Sequence, residues 1–290
     1  MEIKEKYLLH LEIKLSESTL REYRRMLNLF YEEAKEHPLI PIRSQSEYEE
    51  IIKTIAARFN WSPGTRYRMS ILIEDFGKFA YRERVIDRIP YENEFKKGNG
   101  KRVEFFTEDE FYRTAFNPFH SISDFVMMIL FWDCGMRKSE LINLNLGDVD
   151  IQDGMIRIIN IKTGKIRYNP ITPFCRSILS LYLLSLGFQG KLKSMSDPLF
   201  YSPTWTRLNE STLHRHMKMF EDNVPNIKVF AHKFRHSLGG RIVSRGGDLS
   251  LVKELLGHEN LNTTMIYTHF AKDKLREMYN KFANSVESVK

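Results

Sequence analysis

Apolar side chains recur three and four residues apart along most of this 290-residue chain, a spacing that fits helices and excludes an all-β fold. Leu20, Tyr23, Leu27, Phe30, Tyr31 and Ala34 form one such stripe, with Ser16 or Ser18 as its N-cap. A shorter helix is predicted through Ile51, Ile52 and Ile55. A third opens at Ser62-Pro63, a cap followed by the residue best tolerated in a first turn, and puts Tyr67, Ile71, Phe76, Phe79 and Ala80 near one face. One stretch, residues 149–172, breaks the pattern. There Asp153-Gly154 and Thr163-Gly164 separate β-rich runs such as Met155-Ile156-Arg157-Ile158-Ile159, which predicts a three-stranded antiparallel meander.

Between these parts lies Phe95-Lys96-Lys97-Gly98-Asn99-Gly100-Lys101-Arg102, with two glycines, four cations and no periodic apolar positions. The reading is therefore a helical domain over 1–94, a basic linker over 95–104 and a mixed domain over 105–290. The last restarts with a capping box, Thr107-x-x-Glu110. Its helices are expected near 107–116, 121–134, 173–186, 208–222, 232–245, 249–256, 261–269 and 271–285. The fold class is mainly α with a small antiparallel β-meander.

Composition narrows the function classes. Hydrophobic residues at 42% and charged residues at 28% are a globular balance, against disorder. The longest strongly apolar run, residues 125–132, is far short of the roughly 20 residues of a membrane-spanning helix. Met1-Glu2-Ile3-Lys4-Glu5 carries acid where a signal peptide needs a cationic flank, so a cytoplasmic, nucleoid-associated location is expected, with no membrane partner. Cys134 and Cys175 are too few for a disulfide scaffold. The net charge of +7 permits nucleic acid as a partner without requiring it. Residues 1–98 hold 18 basic and 17 acidic side chains, so charge alone does not mark that part as a DNA binder. Arg66 and Arg68, with Lys96, Lys97, Lys101 and Arg102 of the linker, are its candidate DNA contacts; a solvated face explains them equally well.

Two clusters can carry chemistry. In His232-Lys233-Phe234-Arg235-His236 the histidines lie one turn apart, but Lys233 stands where a zinc protease needs Glu, and a cation is a poor neighbour for a metal. His232 and Arg235 share a face and can offer an imidazole and a guanidinium fork to a phosphate. Residues 249–269 read as helix, glycine turn, helix, with Leu251, Leu255, Leu256, Leu261 and Ile266 as core, a pattern similar to a DNA-reading helix-turn-helix. Trp61, Trp132 and Trp205 are expected in cores.

Taken together, the motifs resemble those of the tyrosine recombinase (phage integrase) family. Cys134-Gly135-Met136-Arg137-Lys138-Ser139-Glu140-Leu141 is similar to the box of the family's first arginine, and Ile161-Lys162-Thr163-Gly164-Lys165 lies where the family has its hairpin lysine. His232-Lys233-Phe234-Arg235-His236-Ser237 matches His-x-Leu-Arg-His-Ser, with Phe234 for leucine. Leu255-Leu256-Gly257-His258 and Thr263-Thr264-Met265-Ile266-Tyr267 match Leu-Gly-His and Thr-Thr-x-x-Tyr. The layout looks most like the Xer-type site-specific recombinases, particularly the single archaeal ones. The hairpin departs from the bacterial Gly-Lys-Gly; alignment favours Lys162, with Lys165 as the other candidate. Cys134 is read as helix packing and Glu140 as support for Arg137.

The resemblance implies a SAM-like helical core-binding domain ahead of an α+β catalytic domain, the two clamping double-stranded DNA. It implies Tyr267 as nucleophile, Arg137 and Arg235 on the phosphoryl oxygens, His258 donating to the phosphate, His232 receiving or positioning the tyrosine proton, and Lys162 protonating the leaving 5′-oxygen. No metal, other cofactor or ATP is expected. It further implies a homotetramer on two duplexes joined by exchange of the C-terminal helix, strand exchange through a Holliday junction, chromosome dimer resolution as the task, and room for an activating protein. The alternatives are a mobile-element integrase, a type IB topoisomerase and, more distantly, a helix-turn-helix regulator without chemistry.

Overall fold

The computed structural model describes residues 2–35, 39, 43–96, 98, 103–116 and 121–258, and divides the chain into two compact units, Met1–Arg102 and Val103–Lys290. Tyr267 and the two helices expected beyond residue 260 lie outside the described residues. Among the described residues no helix is long and apolar enough to cross a membrane.

The first unit has four helices: α1 (Ile3–Glu12), α2 (Glu17–Ala34), α3 (Gln45–Arg58) and α4 (Pro63–Arg82). Three begin at serines whose hydroxyls accept a backbone N–H: Ser16 for α2, Ser44 for α3 and Ser62 for α4. Ser44 and Glu47 complete a capping box. The core gathers Tyr7, Met26, Phe30, Tyr48, Ile52, Leu72 and Phe76. Buried Tyr7 donates through its hydroxyl to Asp75 at 2.7 Å. Ile71, expected on the packed face, is exposed; α4 turns Met69, Leu72, Ile73 and Phe76 inward instead. Phe95 packs on this core, so the start of the expected linker belongs to the first unit.

The second unit is built around α6 (Ile122–Cys134), predominantly apolar and largely buried, packed against α8 (Pro173–Phe188) and α10 (Ala231–Ser244). Around it lie α5 (Glu108–Ala115), the short α7 (Lys138–Ile142), α9 (Glu210–Asp222) and α11 (Leu249–Leu256). The meander forms as expected, with β1 (Val149–Asp150), β2 (Met155–Ile159) and β3 (Ile166–Pro170) in the order β1-β2-β3, all antiparallel. Ile156 faces Asn169 and Ile158 faces Arg167, so two polar side chains of β3 share the face that β2 fills with isoleucines. Two core expectations fail here. Leu251 is exposed because α11 turns Val252 and Leu256 inward, and Trp205 sits on the surface beneath the Lys191 ammonium.

Candidate active site

The first arginine box is placed by the way α6 ends. Gly135 closes the helix in the left-handed conformation at φ 57°. A Cβ there would lie 2.7 Å from Leu256 and 3.0 Å from Leu238, so glycine also permits α10 and the end of α11 to approach. Met136 plugs the core, and Arg137 becomes the N-cap of α7. One turn later Glu140 folds back: one oxygen accepts the Arg137 backbone N–H and the other its guanidinium, both at 2.7 Å.

Glu140 is the electrostatic centre. Its side chain is 1% exposed, against 10% for Arg167 and 32% for Arg137. Arg167 approaches from β3 and donates to both carboxylate oxygens, at 2.9 and 2.8 Å. Burial alone would raise the carboxyl pKa; the Arg167 fork, then the Arg137 amide and guanidinium, outweigh it and hold the group at about 2. Arg167 also donates through Nε to the Leu255 carbonyl, and Asn169 donates to the carbonyls of Cys134 and Leu255.

Arg235 is buried and reaches across the same junction. It donates to the Gly135 carbonyl at 3.0 Å and to the Leu256 carbonyl. Arg137 approaches the Gly257 carbonyl at 3.5 Å. Thus both predicted arginines meet the turn that carries His258. That turn depends on Gly257, whose φ is 61° and where a Cβ would meet the Arg167 side chain at 3.3 Å. His258 is half-buried, and desolvation together with Arg235, Arg137, His236 and Arg167 pushes its pKa to about 4. It is neutral at pH 7 and can donate one N–H. His232, exposed at the start of α10, is also held below its ordinary value, by desolvation and then by Arg235, Arg137 and Lys138. The site is an excess of guanidinium charge around one carboxylate, suited to an anion with several oxygens.

A cleft of about 560 Å³ opens beside this cluster. Lys165, Arg167, Tyr168, Lys253 and His258 line it, and Lys165 and Lys253 add cations to its wall. Lys162 is exposed at the tip of the β2–β3 hairpin, where its backbone N–H donates to the Asn160 side chain at 3.0 Å; it is not part of the cleft wall. The structure therefore draws Arg137, Arg235 and His258 together with His232 nearby, and leaves Lys162 off the cleft wall. Cys134 is fully buried, its thiol pKa raised by desolvation, in keeping with packing. The described residues contain no group of three or more metal-ligating side chains.

In the first unit Arg68 is exposed and pairs with Glu22 at 3.3 Å, Arg66 lies over the Phe95 ring, and Lys96 is exposed. Lys97, Lys101 and Arg102 fall outside the described residues. Arg167 and Asn169 were missed from the sequence. Their signal was nevertheless present: two polar residues, alternating on a strand, opposite Ile158 and Ile156.

Comparison with known proteins bears on this arrangement. The family model described as Phage integrase family matches residues 102–274. Tyrosine recombinase XerD of Oceanobacillus iheyensis is 27% identical over 289 residues, covering 95% of both chains. Tyrosine recombinase XerD of Staphylococcus aureus is 29% identical over 291 residues, covering 96% of this chain and 97% of the relative. Among solved structures, XerH site-specific recombinase bound to a palindromic difH substrate superposes with a TM-score of 0.71 at 20% identity, over 91% of this chain and 80% of that one.

Proposed function

The chain belongs to the phage integrase family and is similar to its Xer-type tyrosine recombinases, and from that premise we propose that it cleaves and rejoins DNA at a specific site through a 3′-phosphotyrosyl intermediate. The observation that carries this reading is the convergence of Arg137 and Arg235 on the Leu256–Gly257 carbonyls beside His258, with one carboxylate among the guanidiniums.

The chemistry follows from charge. A tyrosine hydroxyl has an ordinary pKa of about 10, so attack at neutral pH needs a proton acceptor and stabilisation of the phosphoryl oxygens. Arg137 and Arg235 supply that stabilisation where negative charge grows in the transition state. His258, neutral at pH 7, donates to a non-bridging oxygen, and His232, also favoured in its neutral form, receives or positions the Tyr267 proton. Lys162, on the hairpin, protonates the departing 5′-oxygen. The phosphotyrosyl bond conserves the phosphodiester energy, so rejoining requires no ATP, and the guanidinium and imidazole groups take the place of a metal. Four protomers on two duplexes then exchange strands through a Holliday junction, with resolution of chromosome dimers as the biological task. Arg66, Arg68, Lys96, Lys97, Lys101 and Arg102 contact backbone phosphates.

The test is covalent trapping. Protein is mixed with nicked fragments of host and plasmid DNA in EDTA, quenched with SDS, and compared with Tyr267→Phe. A shifted band lost in the variant, with the DNA-linked peptide mapped to Tyr267 and the attached DNA sequenced, is the expected result. Strong DNA binding with no adduct on any fragment favours a regulator without chemistry. Plasmid relaxation without recombinant products favours a topoisomerase.

A further inference from the structure

Arg137 and Arg167 share one carboxylate, but they are held in different ways. Arg137 spends its amide and one terminal nitrogen on Glu140 and keeps a solvent-facing edge. Arg167 is nearly enclosed and commits three nitrogens: Nη1 and Nη2 to the two oxygens of Glu140, and Nε to the Leu255 carbonyl at 3.0 Å. Its methylene chain lies against Gly257, where a Cβ would be 3.3 Å from Cδ. One side chain thus connects α7, β3 and the turn after α11.

The charge count gives this arrangement a consequence. With Arg137 alone, Glu140 would form a one-to-one ion pair, and the guanidinium facing solvent would be neutralised by its own anchor. With Arg167 present, two guanidiniums share one carboxylate, and the pair keeps a net positive charge while Glu140 still orients Arg137. A lysine cannot reproduce this, because a point charge cannot meet both carboxylate oxygens and a carbonyl in three fixed directions.

We propose that Arg167 is a positioning residue for strand cleavage: it occupies Glu140 so that this carboxylate aims Arg137 without neutralising it, and it holds the Gly257 turn so that His258 faces the same phosphate. The proposal rests on the recombinase reading above.

The experiment measures single-turnover cleavage of a nicked duplex carrying the site mapped by trapping, for wild type, Arg167→Gln, Arg167→Lys and the double variant Glu140→Gln/Arg167→Gln, each with its melting temperature. Arg167→Gln is expected to slow cleavage by about 10–100-fold, the loss that removing an outer partner costs at metal-ligand sites, taken here by analogy, and Arg167→Lys to recover part of it. The double variant decides the matter. Glutamine at 140 keeps an oxygen for the Arg137 amide but carries no charge, so it should cleave faster than Arg167→Gln. A residue that merely supports the fold predicts the opposite, because the double variant loses more of the network. Cleavage by the double variant no faster than by Arg167→Gln, or undiminished cleavage by Arg167→Gln, overturns the proposal while leaving the recombinase reading intact. Absence of a Tyr267 adduct in the wild type overturns that reading, and this proposal with it.

Discussion

The first unit fully buries no charged side chain among its described residues; its buried polar groups are Ser70 and the hydroxyls of tyrosines such as Tyr7, Tyr48 and Tyr91. The second buries Asp124, Glu140, Asp148, Lys233 and Arg235. Enclosing ionised groups costs several kcal/mol each unless every one is paired. The second unit meets that cost with bonds that link distant segments, such as Arg235 to the carbonyls of Gly135 and Leu256 and Arg167 to Glu140. The first stays together through aromatic packing, including Tyr7 against Phe76 and Phe30 stacked on Tyr48, and leaves its described cations exposed or half-buried. The contrast locates the chemistry: dry, positioned charge in one unit, wet and adaptable charge in the other.

The comparison can be broken most directly in the aromatic core. Phe76→Ala should cost the first unit about 3–5 kcal/mol and leave hydrogen exchange in the second unit unchanged; loss of protection in both would mean that the two do not unfold independently. Next in size is Arg235→Ala, expected to slow cleavage of the trapped site by about 10²–10³-fold. Equal slowing by an exposed first-unit arginine such as Arg68 would erase the distinction between positioned and surface charge.

Acidification sharpens it further. His236 and His258 are both held at about 4, below the ordinary value near 6.5, by desolvation and then by neighbours, His232 and Arg235 for the first and chiefly Arg235 and Arg137 for the second. An unfolded chain takes up protons as pH falls through about 6.5, whereas these folded imidazoles stay neutral until about 4. Their contribution is therefore complete above pH 6.5 and declines between 6.5 and 4. Glu140, held at about 2, has the same sign in a lower window: its contribution is present above the unfolded carboxyl value near 4.3 and is lost as pH falls from there towards 2. Hydrogen exchange at pH 7 and 5 should show the second unit loosening first, and His236→Gln should flatten that dependence. The smallest effect is expected at Arg68→Ala. Its exposed pair with Glu22 contributes about 0–1 kcal/mol, while the salt slope of DNA binding should fall by about 0.9 if Arg68 meets one phosphate.

Much of the fold was legible because its signals are local. Ser62-Pro63 starts α4, Thr107 and Glu110 box the start of α5, and Asp153-Gly154 turns the meander, each through bonds made within a few residues. The α1 helix escaped notice because Glu2 offers no side-chain cap and exposed Leu9 and Ile13 blur its stripe of Ile3, Tyr7, Leu8 and Leu11. Ile71, Leu251 and Trp205 were placed in cores and are exposed, since an apolar stripe states its period but not which flank a neighbour will cover.

The sequence by itself determined most of the helices, the meander and, through its motifs, the family resemblance, because helix caps, turns and motif spacing are properties of short segments; α1 and the short α7 were not among them. Only the tertiary structure decided that Arg167 and Asn169 belong beside the site, that Glu140 is shared by two guanidiniums, and that Lys165 lines the cleft while Lys162 does not. Apart from the Arg137–Glu140 bond, those facts depend on contacts between residues 27 to 88 positions apart, where packing and charge balance choose the partners and local spacing carries no information.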